Sequence, residues 1–144
     1  IASDFFAGDA KKGIPALMVA ALFQSNPMMI YAGQEFGEKG MAKEGFSGID
    51  GRSTIFDYWN TPTVMKAFYN IGRLSPQQRY IRDTYYKILR LCNEETAISE
   101  GLTYDLMYAN FDKLTFDTSK LFAFMRKKDK DLLLILIKKH RKYR

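Results

Sequence analysis

The sequence predicts an α/β chain in which a helix, a buried parallel strand and a second helix are followed by antiparallel strands. Three observations predict it. A helix-period stretch ends at Ser25-Asn26-Pro27 and gives way to the continuous apolar run Met28-Met29-Ile30-Tyr31-Ala32. So continuous a run needs cover on both faces, as a strand inside a parallel sheet has. A capped amphipathic pattern then occupies 76–93, and beyond Gly101 the apolar period shortens to that of strands.

Residues 1–12 read as a connection anchored by Phe5-Phe6. From Gly13 the pattern changes. Pro15 suits a first helical turn, where its missing N–H loses no partner, and Leu17, Met18, Ala21 and Leu22 share one face. The spacing predicts a helix over about 14–24. The strand at 28–32 ends at Gly33, and Gln34-Glu35 follow at its C-terminal end, where α/β folds gather their ligand-binding groups.

Residues 37–61 hold Gly37, Gly40, Gly45, Gly48 and Gly51 and no sustained period, which makes them a long loop. Its stretch Arg52-Ser53-Thr54-Ile55-Phe56-Asp57-Tyr58-Trp59 reads either as an ordered functional loop or as one pinned by Phe56 and Trp59. Pro62 opens a short helix ending near Gly72. Ser75 as N-cap, Pro76 at the first position and Gln78 completing a capping box open the next, over 76–93. Ile81, Tyr85, Ile88, Leu89 and Cys92 form its apolar face, with Cys92 as a small core hydrophobe. Strands are predicted at Leu102–Tyr108, Leu121–Met125 and Leu132–Ile137, the last two joined through the charged turn Arg126–Asp131 as a hairpin. The expected division is 1–96, 97–137 and a basic tail at 138–144.

Composition excludes several functions. The content of apolar residues, 47%, supports a packed core. One Cys and one His cannot supply the ligands of a zinc site. No apolar run approaches the roughly 20 residues that span a bilayer. Dinucleotide, nucleoside-triphosphate and α/β-hydrolase motifs are absent from the sequence. His140 stands alone in the tail and reads as solvated. The net charge of +6 is local, because five of the 22 lysines and arginines lie in the last seven residues. The body is nearly neutral.

Glu35, Glu38, Glu44, Asp50 and Asp57 cluster on or just after the strand, so a general acid/base pair is conceivable. A plainer role for Glu35 is to accept hydrogen bonds from loop amides or to pair with Arg52. Tyr58 and Trp59 offer flat apolar faces for a sugar ring, or plug the loop onto the fold.

Pro27-Met-Met-Ile-Tyr-Ala-Gly33-Gln34-Glu35-Phe-Gly37, then Gly51-Arg52-Ser-Thr-Ile-Phe-Asp57-Tyr58-Trp59, then the capped helix running into Leu89-Arg-Leu91-Cys-Asn93 and Gly101 resemble the C-terminal part of the α-amylase family of glycoside hydrolases. The resemblance extends to Ile137. It implies the last portion of a (β/α)8 barrel, with residues 28–32 as the eighth strand, followed by a truncated antiparallel β-domain. Family members cleave α-glucans by a retaining mechanism, without a cofactor in this part of the chain. Their nucleophilic Asp, acid/base Glu and stabilising Asp lie on earlier strands and have no counterpart here.

What the resemblance leaves to this chain is one wall of the site. Gln34, Glu35, Arg52, Asp57, Tyr58 and Trp59 are the substrate-side candidates, and the partners implied are an α-glucan or oligosaccharide and the N-terminal barrel portion. Lys138–Arg144 departs from the family, for which a truncated or frame-shifted end and an arbitrary boundary are alternative accounts. A lone parallel strand also implies a marginal or self-associating isolated chain. A different reading makes the chain a small binding module whose basic tail meets nucleic acid or an anionic surface, although the body has no recognised nucleic-acid signature.

Overall fold

The structure is a computed structural model that describes residues 6, 8–38 and 61–138. Among the described residues helices mix with one small antiparallel sheet, and they form two compact units. One unit takes the described residues up to Ile14 together with the described ones of Met29–Tyr86. The other takes Pro15–Met28 together with the described residues from Lys87 onward.

In the first unit a 3₁₀ turn at Ala10–Gly13 is capped by Asp9, whose carboxylate accepts from the Lys11 amide at 3.1 Å. Helix α2 spans Pro62–Tyr69. Its Pro62 contributes no donor, and Thr61 makes no side-chain cap, so the first-turn amides, with Thr63 buried, need another acceptor. Glu38 supplies it, taking the Thr63 and Val64 amides at 2.6 and 3.0 Å on one oxygen. A further 3₁₀ turn, Ile71–Arg73, leads to Leu74 and the start of the long helix α3, Pro76–Glu94. The predicted capping box is present in both directions. The Gln78 amide donates to Ser75 Oγ at 3.2 Å, and the Ser75 amide donates to Gln78 Oε1 at 2.9 Å. Leu74, Ile81, Tyr85 and Ala10 are buried here.

The second unit holds α1, whose full span is Ile14–Leu22, and the part of α3 from Lys87. It continues through α4 (Thr96–Ser99), β1 (Leu102–Asp105), α5 (Met107–Asn110), β2 (Leu121–Lys128) and β3 (Asp131–Lys138). The sheet order is β1-β2-β3, all antiparallel. Thr103 faces Arg126, and Phe124 faces Ile135. Leu17, Ala21, Leu22, Ile88, Ala97, Ile98, Phe124 and Ile137 are buried. Phe23 packs edge-on against Phe124 with ring centroids 5.1 Å apart.

Several predicted elements change. Residues 28–32 join no strand, and Met29 is 90% exposed where burial was expected. A parallel strand exists only through a neighbour that takes its N–H and C=O groups, and the three strands among the described residues bond only to one another. The first C-terminal strand stops at Asp105, because the Asp105 carboxylate accepts from the Met107 amide at 2.8 Å and turns the chain into α5, which takes Tyr108. The hairpin is tighter than the charged run implied. Its strands reach Lys128 and Asp131, leaving a two-residue loop with Asp129 at φ 51, a left-handed conformation that Asp tolerates. Arg126 thus belongs to β2.

Candidate functional site

The site starts from Gly33. Its φ of +86 reverses the chain into the 3₁₀ turn Gln34–Phe36, and Gly37 at +69 closes it. A Cβ on Gly33 would lie 2.7 Å from Val64 Cγ2 and 2.8 Å from Glu38 Cβ. Only a residue without a side chain lets this turn press against the start of α2. The Gln34 amide returns to the Tyr31 carbonyl at 2.9 Å, and the Glu38 amide to the Gly33 carbonyl at 2.9 Å.

Within this frame Gln34 is fixed from both ends. Its Nε2 donates to the Tyr85 hydroxyl at 2.8 Å, and its Oε1 accepts from the Tyr31 amide at 3.4 Å. Tyr85 is 3% exposed. Burial raises its phenol above the ordinary range, the Gln34 bond opposes that, and the charge of Glu35 adds to the rise. Glu35 itself has one carboxylate oxygen, Oε2, buried with no hydrogen-bond partner among the described residues. Such an acceptor is rare in folded proteins and costly to leave unmade.

Of the six sequence candidates, the described residues include two, Gln34 and Glu35, which are neighbours in the chain. Arg52, Asp57, Tyr58 and Trp59 lie outside the described residues, as do Glu44 and Asp50. Glu38 serves as the remote cap of α2. A cleft of about 240 Å³ beside Phe36 and Gly37 is lined by Ser75, Gln77 and Gln78, and neither Gln34 nor Glu35 reaches it. Among the described residues no group of three His, Cys, Asp or Glu is placed to hold a metal ion. No helix among them is long and apolar enough to cross a membrane.

Two residues that organise the structure have other roles than the sequence pattern predicts. Tyr85 falls on the predicted apolar face, but a phenol turned inward requires a polar partner. Arg126 falls in the predicted turn. It alternates with Phe122 and Phe124, which is the signal that it shares their buried face.

No family model, curated protein or solved structure matches this chain.

Proposed function

We propose that this chain is the C-terminal part of an α-amylase-like retaining glycoside hydrolase acting on α-glucans. It contributes the last barrel strand and the substrate-side loop, and by itself it is catalytically silent. The observation that supports this reading is the turn after Gly33, where Gln34 is held by Tyr85 while Glu35 keeps a buried oxygen with no partner among the described residues. In the proposed whole protein the missing donor comes from the N-terminal barrel portion. The run at 28–32, which belongs to none of the strands among the described residues, gains strand neighbours on the same contact. Cleavage of a glycosidic bond needs two carboxyl groups flanking it. Of the clustered acids, only Glu35 and Glu38 are among the described residues, and Glu38 is bound to amides.

Co-refolding the chain with the first seven βα units of an α-amylase family enzyme tests the proposal. Hydrolysis of α-glucan with retained anomeric configuration is expected from the mixture and none from the chain alone. Glu35→Ala should lower the recovered activity at least tenfold. Turnover by the purified chain alone at rates typical of intact glycosidases would overturn the proposal, as would failure of the two parts to associate.

A further inference from the structure

β3 is the edge of its sheet, with β2 as its only strand neighbour among the described residues. Its sequence, Asp131-Leu-Leu-Leu-Ile-Leu-Ile-Lys138, has six consecutive aliphatic residues between two charges of opposite sign. Leu132, Leu134 and Leu136 are 57, 69 and 56% exposed. Edge strands are ordinarily blunted by shortness, proline, a bulge or inward charge. This one pairs with β2 in unbroken register over eight residues and has none of those devices. The opposite edge differs: β1 has four residues and is followed at once by α5.

We infer that β3 is a homotypic pairing strand, joining the β3 edge of a second copy in antiparallel orientation to make one six-stranded sheet. Charge selects the orientation. Antiparallel pairing sets the Asp131 end of each copy beside the Lys138 end of the other, whereas parallel pairing sets like charges together. A two-fold axis at Ile135 places Leu134 opposite Leu136, and opposed residues share a face, so the exposed leucines of the two copies become neighbours. On the order of eight backbone bonds form along the new seam. The short β1 edge does not propagate the pairing, so the assembly closes at two copies. This inference does not depend on the glycosidase reading.

Sedimentation of the full chain across the micromolar range tests it. A reversible monomer–dimer equilibrium is expected. Leu134→Lys, at a position with room for a long side chain in the monomer, should raise the dimer Kd at least tenfold while far-ultraviolet circular dichroism stays unchanged. Asp131→Lys and Lys138→Asp should each weaken the dimer alone, and an equimolar mixture of these two variants should restore it. A chain that stays monomeric throughout, or a folded Leu134→Lys variant that dimerises as before, overturns the proposal. Should Leu134→Lys fail to fold, the mixture decides, and absence of restoration overturns the antiparallel seam.

Discussion

Arg126 is 1% exposed, and no carboxylate is among its hydrogen-bond partners. Its five N–H donors are matched by five protein contacts. Nε donates to the Ala97 carbonyl at 3.1 Å, one terminal nitrogen to the Phe23 carbonyl at 3.0 Å and to Thr103 Oγ1, and the other to Ser25 Oγ at 2.6 Å and to the Ile98 carbonyl. Phe23 follows the last residue of α1, and Ala97 and Ile98 lie in α4. Carbonyls at helix ends lack in-helix donors and carry partial negative charge, so they take the place of a counter-ion. Burial lowers the pKa of the guanidinium. Arg126→Leu should cost about 3–5 kcal/mol in urea unfolding, because three carbonyls lose the guanidinium and those of Phe23 and Ile98 are left with a hydroxyl donor, from Thr103 and Ser25. Arg126→Lys should recover only part of that, since an ammonium has three donors and no planar fork. Asp117 gives a pH prediction. Hydrogen bonds from the Lys120 and Ser119 side chains hold its carboxyl down to about 2 from 3.8. With the folded value the lower one, its contribution is present above 3.8 and is lost as pH falls towards 2. Titration of the Asp117 carboxyl by NMR should show the low midpoint in the wild type and a return towards 3.8 in Lys120→Ala.

Elements whose ends carry their own chemistry were legible in the sequence. Ser75, Pro76 and Gln78 specify the start of α3 locally, and its apolar face buries Ile81, Tyr85 and Ile88 as the spacing required. The aliphatic runs of β2 and β3 did the same for the hairpin, although its turn contracted once each strand could bond the other to its last residue. Elements that need a distant partner were not legible. The cap of α2 comes from Glu38, 25 residues before Thr63, and no local motif announces it. The turn at Gly33 depends on that same approach. Gly33→Ala should therefore destabilise the chain by about 1–3 kcal/mol, from the strain of positive φ added to contact with Val64 and Glu38. Thermal unfolding would measure it, and Gly72→Ala, at a glycine whose φ is not positive, is the comparison. The corresponding position in the second unit is Gly101, where a Cβ would meet the Ala97 carbonyl at 2.1 Å.

At the scale of the whole molecule the charge distribution is the simplest property to test. With a nearly neutral body, polynucleotide binding by counterion release has only the terminal basic run to draw on. Removing residues 139–144 leaves β3 intact and should abolish salt-dependent retention on immobilised polynucleotide. Retention that survives the deletion would place a cationic surface elsewhere on the chain. The six candidate site residues divide at this scale too. Gln34 and Glu35 are candidates because they follow the apolar run 28–32, which the sequence reads as a strand, while the bond from Gln34 to Tyr85 spans 51 residues and has no local signal. By itself the sequence determined the helices expected at about 14–24 and 76–93 and found at Ile14–Leu22 and Pro76–Glu94, the capping box, the antiparallel hairpin and the neutrality of the body, because propensity, capping and charge act between near neighbours. Only the tertiary structure decided that residues 28–32 join no strand, that Glu38 caps a remote helix and that Arg126 is buried. Each of those outcomes depends on whether a partner far along the chain is present to complete a hydrogen bond.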